Sequence, residues 1–171
     1  MTQEARFDAL YSDHARAVLA YARRRCDPAT ADDVLADVFL VAWRRLDDIP
    51  SEPRGWLLGV ARRTLANHRR SATRRAALHD ELRSQRPVSD TPDHGDVHTA
   101  LETLRPKDRE ALLLTSWDGL TPSEAAAALG VRPGTFTMRL TRARRRFAAA
   151  LTAAGTASEP NRSSRSTEAS R

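Results

Sequence analysis

A single cysteine, Cys26, in 171 residues excludes an internal disulfide framework and suits a reducing compartment. No apolar run approaches the twenty or so residues that cross a bilayer, and no signal-peptide core opens the chain. The expectation is therefore a cytoplasmic protein with no membrane span. Glycine is absent before Gly55, and alternation with a period of two never lasts long enough for a strand. Lysine is nearly absent too: Lys107 is the only one, so the formal charge of +6 and the pI near 10.8 come from arginine. Arginine binds phosphate and guanine in a bidentate manner, although an Arg- and Ala-rich chain also reflects coding bias. No nucleophile–base constellation and no phosphate-cradling glycine loop appears, so no enzyme and no cofactor is expected. Large apolar residues are missing after Leu151, which marks the end of the chain as a disordered tail.

What is present is organised around TPSEAAAALGVRPGTFTMRLTRARRRF, residues 121–147. Thr121 reads as an N-cap, Pro122 as the first helical residue and Glu124 as the far side of a capping box. Gly130 stops this Ala-rich helix, and Pro133 starts a second one carrying Arg139, Arg142, Arg144, Arg145 and Arg146 without an acid. Such a pair of helices can also be a solvated surface hairpin. Against that, Ala125, Leu129, Val131, Phe136 and Leu140 fall where the two helices face each other and a third. A packed helix-turn-helix, with its second helix for the major groove, is the better reading.

Charge is segregated along the rest of the chain. Seven arginines and no acid lie between Arg54 and Arg75, whereas seven acids face only Arg44 and Arg45 between Asp27 and Glu52. The first block suits nucleic acid and the second a protein partner, with a merely solvated acidic face as the simpler alternative. Three helices are expected here. The first carries Phe7, Leu10, Tyr11, His14, Val18, Leu19 and Tyr21 and ends at Arg23–Arg25. CDPAT is read as a break, and a second helix runs from about Thr30 to Leu46. Its buried stripe is Leu35, Val38, Phe39, Ala42 and Leu46, while Asp33, Asp37, Leu40 and Arg44 share the opposite side. After the DDIPSEP loop, a third helix starts near Pro53 with Trp56, Leu57, Val60 and Thr64 inward. Arg62, Arg63, Asn67 and Arg70 face solvent, suited to phosphates or an exposed base. RPVSDTPDHGD reads as a linker. Helices through Val97–Leu104 and Leu112–Trp117 then complete a four-helix second domain. The two halves are expected to move independently when free, with protease cleavage between about Arg83 and His98.

DDVLADVFLVAWRRL, PRGWLLGVARRTLANHRR and LETLRPKDREALLLTSWDGLTPSEAAAALGVRPGTFTMRLTRARRRF, in that order, resemble the extracytoplasmic-function sigma factors of bacterial RNA polymerase. The resemblance runs from roughly Phe7 to Leu151. It implies an all-α chain of two small helical domains joined by a flexible linker: a region 2-like domain over 1–75, a linker over 76–96, a region 4-like domain over 97–152 and the tail over 153–171. The first would hold the clamp of core RNA polymerase through Asp33, Asp37, Leu40 and Arg44, and read the −10 element through Arg62, Arg63, Asn67 and Arg70. The second would hold the flap and read the −35 element through Arg132, Thr135, Thr137, Met138, Thr141, Arg142, Arg145 and Arg146. Promoter DNA and core polymerase are the implied partners, and an anti-sigma factor is a further candidate. Ala36 stands where the family commonly has Gln, Arg63 where an Asn is common, and Arg132 in place of a Ser cap. Thr137 and Met138 replace a basic residue and Ser, which shifts the expected −35 preference toward thymine methyl contact.

Two other classes fit less well. A self-sufficient DNA-binding regulator needs a dimer interface, and no heptad or spare apolar helix supplies one. A zinc enzyme built on His94, His98, Asp93, Asp96, His79 or Cys26 lacks a positioned third ligand, so linker histidines in water are preferred and no metal is expected.

Overall fold

Capping chemistry sets where the helices begin. Thr2 accepts a hydrogen bond from the Ala5 N–H and opens α1, Gln3–Arg23; Asp27 accepts from Thr30 N–H and opens α2, Pro28–Arg44. The computed structural model describes residues 2–78 and 95–157. A single 3-10 turn, Leu46–Asp48, leads to α3, Pro53–Leu78, and then follow α4, Gly95–Thr103, and α5, Pro106–Ser116. The helix-turn-helix is α6, Pro122–Leu129, and α7, Pro133–Ala157. Every element among the described residues is helical, as expected.

Both halves of the Thr121–Glu124 capping box are formed, and Gly130 closes α6 at φ 64°, ψ 36°, a left-handed conformation that a side chain would strain. In α2 the helix starts two residues before the expected Thr30. CDPAT is a break that also carries an Asp N-cap with Pro at the first helical position. The stripe on α2 is correspondingly shifted: Ala31, Val34, Val38, Phe39 and Ala42 are buried, while Leu35 is only half-buried. The expected linker centre and the last fourteen residues lie outside the described residues. α7 continues past Leu151 to Ala157.

α1, α2 and α3 pack as one three-helix unit, and α4 to α7 as another. The two halves, expected to move independently when free, are packed together here: α3 lies closely on α6, and a single apolar cluster runs from Val18 through Leu65 to Ala143. The physical reason is small side chains on both helices. A Cβ on Gly55 would lie 2.5 Å from the Glu124 carbonyl oxygen, and one on Gly59 would lie 3.1 Å from that of Ala128.

Candidate nucleic-acid and polymerase-binding faces

α7 is anchored by Phe136, Leu140 and Ala143, all buried at helical spacing. The candidate DNA-facing side chains point away from that anchor: Arg132, Thr135, Thr137, Met138, Thr141, Arg142, Arg145 and Arg146 are all exposed. Thr137 donates its hydroxyl to Pro133 O and Thr141 donates to Thr137 O, both at 3.0 Å. With those hydrogens committed to the helix, the two threonines offer the groove their methyl groups and oxygen lone pairs. Met138, 66% exposed, lies beside them. Arg142 uses its Nε on the Met138 carbonyl at 3.3 Å. Arg146 is engaged differently: its guanidinium pairs with Asp108 at the start of α5, a carboxylate that is itself almost fully buried.

α3 buries Leu57, Leu58, Val60, Ala61 and Leu65, with Trp56 and Thr64 half-buried. Arg62, Arg63, Asn67 and Arg70 are exposed along its other side, and Arg70 donates to the Asn67 side-chain oxygen. Arg62 reaches Glu110 of α5 with Nε 2.6 Å from one carboxylate oxygen and Nη2 3.4 Å from the other. That hydrogen bond raises its already high pKa further, despite partial burial.

On α2, Asp33, Asp37, Leu40 and Arg44 are all exposed on one side. Asp37 lies 3.0 Å from His68 Nε2, linking this side to α3. Sequence periodicity passed over the apolar part of this neighbourhood. Phe7 meets Trp43 edge-on at 5.1 Å, Tyr11 meets Phe39 at 4.7 Å, and Tyr11, Leu40 and Trp43 are exposed. Trp43, three residues after Leu40, was the available signal.

The zinc candidates that lie among the described residues do not assemble. Cys26 donates its thiol to Ala22 O, and burial raises its pKa, which disfavours a thiolate. His98 sits 3.3 Å from Glu102, and among the described residues no group of three metal-ligating side chains forms. His79, Asp93 and His94 lie outside the described residues.

An exposed, arginine-bearing second helix on a capped helix-turn-helix, joined to a second helical unit with a cationic face, defines a two-part helical DNA-binding protein. Residues 10–75 match the Sigma-70 region 2 family and residues 94–147 the Sigma-70 region 4 family. ECF RNA polymerase sigma factor SigL of Mycobacterium tuberculosis is 32% identical over 143 residues, covering 77% of this chain and 81% of SigL. Among solved structures, the sigma factor RpoE of Bartonella quintana, in complex with the anti-sigma factor NepR, aligns with a TM-score of 0.61 at 25% identity. That alignment covers 85% of this chain and 96% of that one. CnrH in complex with the cytosolic domain of CnrY aligns with a TM-score of 0.60 at 29% identity over 89% and 90% of the two chains. The chain belongs to the ECF RNA polymerase sigma factors. It is a promoter-recognising subunit that directs transcription initiation, a non-enzymatic factor.

Proposed function

We propose that this sigma factor divides its work among three faces. Asp33, Asp37, Leu40 and Arg44 on α2, extended by Trp43, bind the clamp of core polymerase. Arg62, Arg63, Asn67 and Arg70 on α3 engage the −10 element, cations on phosphates and Asn67 on a base edge or an unstacked base. On α7, Thr135, Met138 and Arg142 face bases of the −35 element with Thr137 and Thr141 alongside, while Arg132, Arg145 and Arg146 lie nearer phosphates. The second domain also meets the flap. The observation that carries this reading is that every one of these side chains is exposed, on three separate helix faces. Helix faces committed to the core would have buried some of them.

The boundaries proposed are a first domain through about Arg75 and a second from about Val97 to Thr152. The protein works in the cytoplasm, where its polymerase is. Two structural neighbours are solved with an anti-sigma factor or a cytosolic partner domain, which supports an anti-sigma factor as a partner here too. The test is transcription by core polymerase with this protein from randomised promoters. The expected result is starts sharing two upstream elements, each altered by substitutions on one helix only; starts without sequence preference would overturn the assignment.

A further inference from the structure

One side of α1 serves neither the core nor the candidate DNA-facing helices. Asp13, Arg16, Ala17, Ala20 and Arg24 fall at i, i+3, i+4, i+7 and i+11, a single stripe along the helix. With Arg54 at the start of α3, and with Trp117 and Asp118 before α6, they line a cleft of about 340 Å³. That volume lies within the roughly 300–1,000 Å³ of small-molecule sites. Ala17 and Ala20 give the cleft a floor with no side chain beyond Cβ. Asp118 offers it no free negative charge: its side chain is fully buried, Arg24 pairs with one carboxylate oxygen, and Arg25 Nη2 lies 2.7 Å from the other. What remains for a ligand is the unspent part of three guanidiniums, each with five N–H groups. Arg24 keeps 36% of its side chain exposed beside its pairing with Asp118. Arg54 donates Nη2 to Asp118 O at 2.6 Å and Nη1 to Gly119 O at 3.2 Å. Its Nε is buried and, among the described residues, is the one buried side-chain nitrogen or oxygen without a partner. Arg16 is exposed and its guanidinium has no partner among the described residues, and the same holds for the Asp13 carboxylate. Trp117 is 46% exposed.

We propose that this cleft binds a nucleoside monophosphate. Three chemistries surround one small volume, and that class of ligand uses all three. Guanidiniums hold a phosphate through charge-assisted, bidentate N–H pairs. Arg16 is free to form such a fork, while Arg24 and Arg54 add spare N–H groups and positive field. A phosphate oxygen seated against Arg54 gives its Nε the acceptor it lacks, and so relieves a buried unsatisfied donor. The exposed indole of Trp117 takes a base on its face, because stacking covers apolar surface on both rings. Asp13 repels an anion on its own but accepts hydrogen bonds from sugar hydroxyls. It stands three residues before Arg16 on the same side of α1, as ribose stands beside phosphate in the ligand. Its charge also disfavours a bare phosphate or a dicarboxylate, which bring no hydroxyl donor to offset the repulsion. None of Arg62, Arg63, Asn67 and Arg70 on α3, and no residue of α7, lines the cleft, so it is separate from the candidate promoter faces.

The test is calorimetric titration of the full chain, without DNA or polymerase, with adenosine monophosphate, guanosine monophosphate, adenosine and inorganic phosphate. Both nucleotides should saturate one site per chain, with adenosine and phosphate each weaker by roughly tenfold or more. Arg16→Ala should remove most of the preference for adenosine monophosphate over adenosine. Trp117→Ala should weaken both by roughly tenfold, and Trp117→Phe should recover most of that loss. Asp13→Asn should weaken the nucleotide several-fold and leave its dideoxy analogue unchanged. All three positions are exposed, and thermal melts check that each variant stays folded. No saturable nucleotide binding, or phosphate bound as tightly as the nucleotide, would overturn the proposal. So would a loss with Arg70→Ala or Arg142→Ala equal to that with Arg16→Ala, which would place the nucleotide on a candidate DNA-facing helix instead. A terminally phosphorylated hexanucleotide separates the two sources of this chemistry. Sensitivity to Arg16→Ala equal to that of the mononucleotide assigns the cleft to a strand end, and sensitivity to Arg70→Ala instead leaves it to the free nucleotide.

Discussion

Arg142 and Arg146 are four residues apart on α7, yet the structure gives them opposite situations, and alanine at each should separate two kinds of effect. Arg142 is exposed, with one weak bond to its own helix, so Arg142→Ala should change stability by less than about 0.5 kcal/mol. If it reads guanine in the major groove, transcription should fall by about 1–3 kcal/mol equivalent at one or two −35 positions, roughly 5- to 150-fold. Arg146 holds Asp108, whose side chain is only 9% exposed while that of Arg146 is 46% exposed. Truncating it leaves a desolvated carboxylate without this partner, at roughly 1–3 kcal/mol, the range for a buried unsatisfied group rather than for a fully buried ion pair. For a chain of this size that is a fall in Tm of roughly 2–12 °C. If Arg146 also meets a phosphate, as proposed, its removal should weaken all promoters alike and lower the salt slope by about 0.9. The assays are a −35 library transcribed with core polymerase, promoter binding at several salt concentrations, and thermal melts. Equal loss on every promoter with Arg142→Ala would make it a phosphate contact and shift the register of α7. A melt unchanged by Arg146→Ala would mean that the Asp108 pair contributes nothing in solution.

Asp33→Arg with Asp37→Arg should abolish co-purification with core polymerase while moving Tm little, since the interaction it removes, between Asp37 and His68, is largely open to solvent; unchanged co-purification removes the clamp assignment. Thr121→Ala should cost about 1 kcal/mol in chemical denaturation by removing one half of the capping box, with Thr121→Ser recovering most of it. Asp27 is held below the ordinary carboxylate pKa by the Thr30 N–H and hydroxyl, so its folded pKa is the lower one. Its contribution is therefore complete above the unfolded value of 3.8 and is lost as pH falls through the folded value. Melts of Asp27→Asn against the parent should converge in acid, and a gap that widens there would reverse the sign.

The helices were legible because proline, glycine and capping residues punctuate them. Thr121–Pro122 and Gly130 marked the start and stop of α6 directly. Asp27–Pro28 is the same signature, but its position beside Cys26 and the RRR run made it read as a break alone, which moved the start of α2 by two residues. The α2 stripe slipped for a related reason. Ala31 carries little hydrophobic signal, and Val34 and Leu35 are adjacent apolar residues of which periodicity alone does not say which faces inward; between α1 and α3 it is Ala31 and Val34 that are buried. The exposed candidate residues were legible because a helix with one committed apolar side leaves the other to solvent, and the charge blocks sat on those sides.

How the two units meet was not legible. Periodicity identifies an apolar side without naming what covers it, and Gly55 and Gly59 carry no hydrophobic signal at all. Asp118 looked like the ordinary end of a helix before Gly119, because Arg24 and Arg25 are more than ninety residues away in the chain. Asp108 likewise looked like an acid in a first helical turn, where the helix dipole alone would favour it. Its pairing is with Arg146, 38 residues further on. The same separation explains why the arginines could not be sorted by role. Arg24, Arg25 and Arg54 have the composition of a nucleic-acid face, and they bind an acidic turn of their own chain. Arg142 has identical chemistry, and its guanidinium reaches only the carbonyl of its own helix one turn back. Whether an arginine is held by its own chain, and so must exchange that partner before it can meet DNA, depends on long-range packing that the local sequence does not carry.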